Sequence, residues 1–163
     1  MKKLKIIFFF LTIFFSNISY LVADKEGLED KSYLYSKNSN FKKGNDALKK
    51  SLKYKKKNKI KKANKKLEKA LVYFLSSYKE SPNNIEILNL LGFSYFLIGD
   101  PIMSEIYYME GLDIDPKNNL LNQRLGELYF YTKRVDMAKD RLKILNSCNC
   151  QEYLNLKKII EKN

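Results

Sequence analysis

The sequence predicts an all-α protein, a short solenoid of helix-turn-helix units closed by a C-terminal capping helix. Three observations carry this expectation. Pro82, Pro116 and Cys150 stand at one constant interval, and the same classes of residue recur upstream of each. Apolar residues between Leu48 and Tyr78 return at three- and four-residue steps, the period of one helix face. Only six Gly and three Pro occur in 163 residues, which leaves room for long helices. One domain is the default at this length, and a chain 45% hydrophobic and 30% charged has the composition of a globular protein.

In chain order, Met1–Lys5 supplies three Lys and Ile6–Phe15 is a largely apolar run. Ser16, Asn17 and Ser19 follow, then Tyr20-Leu21-Val22-Ala23. This is the basic, apolar, small-residue order of a secretory signal, so residues 1–23 are read as a signal peptide with Ala23 as the cleavage position. The alternative is an N-terminal membrane anchor, because residues 4–23 approach bilayer-spanning length. Both readings place the body of the protein in the periplasm, cleaved free or held to the inner membrane. Residues 24–44 mix charge, Ser and Asn without a period and are expected to form a flexible lead-in to a helical domain spanning 45–163.

Gly44-Asn45-Asp46 offers a helix start with Asp46 as N-cap. Leu48, Leu52, Ile60, Ala63, Leu67, Ala70, Leu71, Phe74 and Tyr78 then form one apolar face, with a gap over Lys55–Lys57. Asn58 lies in that gap and predicts a break between helices at 46–57 and 60–80. The opposite face is Lys: residues 42–69 hold 14 Lys against Asp46 and Glu68, whereas residues 70–163 balance 11 Lys or Arg with 12 Asp or Glu. The formal charge of +13 therefore belongs to one segment. Lys55, Lys56, Lys57, Lys59, Lys61, Lys62, Lys65 and Lys66 form either a solvated helix face or a cationic face for anionic lipid or cell-wall polymer. Like charges at four-residue spacing make the first helix the least stable. Nucleic acid is not an expected partner, since only Arg124, Arg134 and Arg141 among the 31 basic residues carry the bidentate fork that phosphate readers favour.

The clearest unit is 85–118, with Leu91, Gly92 and Tyr95 on a first helix and Ser104, Tyr108 and Gly111 on a second. In 119–152 the equivalents are Leu125, Gly126 and Tyr129, then Ala138, Leu142 and Leu145. Upstream, in about 51–84, only the second half matches, through Ala70, Phe74, Ser77 and Pro82. Ile60, Ala63, Leu67 and Ala70 also fit the second-helix pattern seven residues early, so the register of this degenerate unit stays open. The pattern resembles the tetratricopeptide repeat, whose period of about 34 residues is the interval seen here. The resemblance implies a right-handed solenoid in which Gly92 and Gly126 on the first helices, and the small Ser104 and Ala138 on the second, let paired helices approach closely. Gly99-Asp100-Pro101 makes the turn inside a unit and Pro116 ends its second helix.

A last helix, about 151–161, carries Tyr153, Leu154, Leu156, Ile159 and Ile160, with Asn149 and Glu152 spaced as a capping box. Cys148 and Cys150 precede it. A disulfide of this spacing, an intermolecular link or lipidation, and two half-buried thiols are all open readings. The closing stretch, Leu125–Tyr129 followed by the close Cys pair, Glu152 and Leu156, also resembles an exported proteobacterial group of these repeats.

In tetratricopeptide proteins the first helices line a concave groove for peptides or helices. The resemblance places Glu86, Asn89, Phe93 and Phe96, then Gln123, Arg124, Glu127 and Phe130, along that groove. The family's clamp for a C-terminal carboxylate needs Lys and Asn where this chain has Asn89 and Phe93, and only Arg124 fits. An aromatic groove for an apolar or helical segment of another protein is the better expectation, with Phe93 and Phe96 as inter-repeat core the competing reading. The chain has no His and no nucleophile–base pair, phosphate loop or metal cluster. Neither catalysis, a cofactor, a metal nor a small-molecule substrate is expected.

Overall fold

The computed structural model describes residues 39–161. They form seven helices and, among the described residues, no strand: α1 at 39–56, α2 Ile60–Glu80, α3 Ile85–Ile98, α4 Pro101–Ile114, α5 Asn119–Tyr131, α6 Val135–Leu145 and α7 Gln151–Glu161. The helices pair as α1/α2, α3/α4 and α5/α6, with α7 against the last pair. This is the short all-α solenoid that the sequence predicts.

The same turn closes the first helix of every pair. Asn58, Gly99 and Lys133 adopt left-handed φ values of 53°, 90° and 66°. In each, that residue's N–H donates to the carbonyl three positions back, and the next N–H reaches five back. The bonds run from Asn58 to Lys55 (3.0 Å) and Lys59 to Tyr54 (2.9 Å), from Gly99 to Phe96 (3.2 Å) and Asp100 to Tyr95 (2.9 Å), and from Lys133 to Phe130 (3.0 Å) and Arg134 to Tyr129 (2.8 Å). Between pairs, Ser81-Pro82 and Asp115-Pro116 end the second helices. Asn84 then caps α3 by accepting from the Glu86 and Ile87 N–H groups, and Asn118 caps α5 by accepting from Leu121.

Two apolar clusters hold the stack together. One joins Ala47, Leu48, Leu67, Ala70, Leu71 and Phe74 to Ile87, Leu88, Leu91 and Tyr107; the other joins Tyr108, Leu112, Leu121, Leu125, Leu128, Tyr129 and Ala138. Small residues set the helix spacing. A Cβ added at Gly44 would meet the Phe74 ring at 2.6 Å, one at Gly92 would strike the Tyr108 ring, and one at Gly126 would meet Leu156 at 2.5 Å.

The first pair departs from expectation. The helix begins at residue 39, inside the predicted 24–44 lead-in, and Asp46 is mid-helix rather than an N-cap. Gly44 does not start a helix; its missing side chain makes room for Phe74, as Gly92 does for Tyr108. Phe41, Gly44, Ala47 and Leu48 thus supply the face that 51–61 lacks. The step from Gly44 to Gly92 is longer than the step from Gly92 to Gly126, and the excess divides equally between two helices. The Asn58 turn comes seven positions late, and α2 starts seven positions early. The unit predicted at 51–84 is therefore a regular pair with both helices lengthened by two turns. That accounts for the early appearance of the second-helix pattern at Ile60 and Ala63.

At the other end, Asn149 takes a left-handed φ of 47° inside the Cys148–Cys150 loop, so the N-cap position of α7 falls to Cys150 and the predicted Asn149 cap is not formed. The predicted signal or anchor, residues 1–23, and residues 24–38 lie outside the described residues. Among the described residues, no helix is long and apolar enough to cross a membrane.

Candidate partner-binding groove

α3 and α5, the first helices of neighbouring pairs, run side by side. Phe93 projects from α3 toward α5, and the Arg124 guanidinium covers its ring at 4.2 Å from the centroid. Glu127, one turn further along α5, holds Arg124 at 3.6 Å and accepts a 2.6 Å hydrogen bond from Gln123 Nε2. Four of the predicted groove residues therefore form one connected cluster. Gln123 is nearly buried, so it braces Glu127 rather than facing a ligand. Asn89, one turn before Phe93, has a buried Oδ1 without a hydrogen-bond partner, and the buried Nε of Arg124 likewise has none.

The remaining predicted residues separate from this cluster. Phe96 and Phe130 pack against the second core cluster and meet through Tyr131, whose ring lies 5.7 Å from Phe96 and 5.8 Å from Phe130. Tyr131 is 57% exposed and extends the aromatic surface outward. The groove positions that the resemblance implies end at Phe130 and omit Tyr131, the last residue of α5. Glu86 is exposed in the first turn of α3. Arg134, at the turn between α5 and α6, ties that turn to α4. It pairs with Glu105 at 2.8 Å, donates from Nε to Thr132 Oγ1 at 3.0 Å, and lies 4.5 Å over Tyr129.

On another surface, Tyr78 Oη donates a 2.6 Å bond to Glu110, and Tyr107 lies between Tyr78 (5.6 Å, edge-on) and Tyr95 (5.5 Å, stacked). The bond to Glu110, with burial added, pushes the Tyr78 hydroxyl up to about 12. Burial also raises the Tyr108 hydroxyl above its ordinary range.

Of the predicted basic face, Lys55, Lys56, Lys57, Lys59, Lys61, Lys62 and Lys65 are exposed and Lys66 is half-buried. Lys66 lines a shallow cleft with Lys43, Asp46, Lys50, Lys69 and Tyr73; Lys43 and Lys69 stand 5.9 and 5.7 Å from the Tyr73 ring centre. Cys148 and Cys150 are joined by a disulfide, with Cα atoms 5.1 Å apart.

Residues 85–118 match the family model of the tetratricopeptide repeat. The chain carries a tetratricopeptide unit. That unit is α3 and α4, the pair that contributes Asn89 and Phe93. Two solved structures share the fold. The first tetratricopeptide domain of Spaghetti (RPAP3), bound to an HSP90 peptide, is 19% identical with a TM-score of 0.53, over 75% of this chain and 94% of its own. The second such domain of human RPAP3, in complex with an HSP70 peptide, is 13% identical with a TM-score of 0.57, over 78% of this chain and 99% of its own. No curated protein sequence matches the chain. At these identities the structural likeness establishes the tetratricopeptide architecture.

Proposed function

We propose that this chain is a non-catalytic scaffold of the bacterial cell envelope that binds a peptide or helix of another protein in the groove built by α3 and α5. The observation that carries this reading is the Phe93 ring lying under the Arg124 guanidinium between α3 and α5, with Phe96 and the exposed Tyr131 on the same two helices. A segment laid along these helices would cover Phe93, Phe96 and Tyr131 and offer an acceptor to the exposed part of the Arg124 guanidinium.

The two solved relatives hold chaperone-derived peptides, SRMEEVD and SGPTIEEVD. Of the family's carboxylate clamp this chain keeps only Arg124, and Arg124 is already engaged with Glu127. The proposed ligand is therefore an apolar or helical segment offering one acceptor rather than an acidic tail. The basic and apolar order of residues 1–23 supports export, with the signal removed or retained as an anchor.

The test is affinity capture from the envelope fraction after mild cross-linking, with the wild type beside a Phe93→Ala/Arg124→Gln double variant. Loss of the captured band with helicity intact supports the groove; unchanged capture removes it. N-terminal sequencing of the recovered protein, starting at Asp24 or at Met1, decides between cleaved signal and anchor.

A further inference from the structure

We propose that the lengthened first hairpin is an arm that docks on an anionic phospholipid bilayer. The inference rests on the first pair alone and is independent of the α3/α5 groove.

Two extra turns on each helix carry the Asn58 tip about 10 Å beyond the length of an ordinary pair. The added residues bury little. Ser51 and Ala63 form the last closely packed layer, where Ser51 Oγ donates to the Ala63 carbonyl at 2.8 Å. Beyond it, residues 55–62 are all exposed. Between Asp46 and Glu68 the hairpin holds eleven Lys and no acidic residue. Ala63 and Leu52 add only a small layer of core against that repulsion, so the extension is explained by what it presents.

It presents the exposed Lys55, Lys56, Lys57, Lys59, Lys61 and Lys62 together with one exposed aliphatic side chain, Ile60, 48% exposed in the first turn of α2. A plane of phosphate headgroups meets all sides of a convex tip at once, and Ile60 is placed to enter the interface between them. Nucleic acid fits less well. The tip has no Arg fork for phosphate and no exposed aromatic ring for a base, since Tyr54 is half-buried. Lys needs only a dense anionic surface.

The test is co-sedimentation of the full chain with vesicles of phosphatidylcholine containing phosphatidylglycerol, against phosphatidylcholine alone. A first variant replaces Lys55, Lys56, Lys57, Lys59, Lys61 and Lys62 with Gln, which keeps helix propensity and relieves repulsion, so folding is preserved. A second deletes residues 50–56 and 60–66, which keeps the Lys57–Lys59 turn and restores the spacing of the other units. Each lysine in contact is worth roughly fivefold in partitioning, so loss of three contacts lowers retention on anionic vesicles roughly a hundredfold. Wild-type retention should also fall with added salt. Equal retention of the wild type and the six-Gln variant would overturn the proposal. So would equal binding to neutral vesicles, or wild-type binding to duplex DNA without vesicle retention.

Discussion

Phe74 and Tyr108 occupy equivalent places in successive pairs, and each ring lies against a glycine of the preceding helix. The choice of residue is decided by space rather than by helix propensity. Alanine in place of glycine adds about 1 kcal/mol of helix preference, yet at Gly92 its methyl would collide with a ring that is 1% exposed. Overpacking costs about 1–3 kcal/mol, so Gly92→Ala is expected to lower the melting temperature by several degrees, measured by thermal circular dichroism. Tyr78 gives a second residue-level prediction. Its hydroxyl is held above the ordinary 10.0, at about 12, chiefly by its bond to Glu110. A proton held more tightly in the folded state stabilises fully below pH about 10, and that contribution fades as pH rises toward 12. Tyr78→Phe should therefore be less stable than wild type near neutral pH, by about 1 kcal/mol for the lost bond. The gap should narrow between pH 10 and 12 in denaturant titrations. A gap that widens there would contradict the assignment.

Among the helices, α7 has the most specific task. Leu156 is fully buried against Gly126, where in the other two pairs the glycine meets an aromatic ring of its own partner helix. The capping helix thus completes the α5/α6 pair, and Leu156→Ala is expected to cost about 2–5 kcal/mol in urea unfolding. Leu154, 56% exposed on the same helix, should tolerate the same change within about 0.5 kcal/mol. The helices α3 to α7 were legible in the sequence because leucine, glycine and tyrosine recur at a fixed period and Gly99-Asp100-Pro101 and Pro116 mark the turns between them. The start of α1 was not. Gly44-Asn45-Asp46 mimics a helix start, and the two extra turns on each helix of the first pair shift Gly44 out of register with Gly92 and Gly126. The break at Asn58 was legible, since Lys55–Lys57 interrupts the apolar face and Asn tolerates the left-handed turn. The candidate site was legible in part. Phe93 and Arg124 follow from their repeat positions, but the burial of Gln123 and the bridging by Tyr131 depend on packing between helices that no spacing displays.

At the scale of the molecule, charge and aromatic surface are divided between different pairs. Lysine is concentrated on α1 and α2, while Phe93, Phe96, Arg124 and Tyr131 lie on α3 and α5. Because each pair in a solenoid chiefly touches its neighbours, the two surfaces can be altered separately. The double deletion in the first hairpin should leave groove binding unchanged, and the Phe93→Ala/Arg124→Gln variant should leave vesicle retention unchanged. In the proposed function the partner lies over Phe93. This is tested most directly by placing a photo-cross-linking phenylalanine analogue at position 93 and, as a control, at Ile102, which is 71% exposed on α4. The groove account predicts adducts from position 93 that disappear when Arg124 is changed to Gln, and none from position 102. Adducts from position 102 alone, or adducts from position 93 that are indifferent to Arg124, would contradict it.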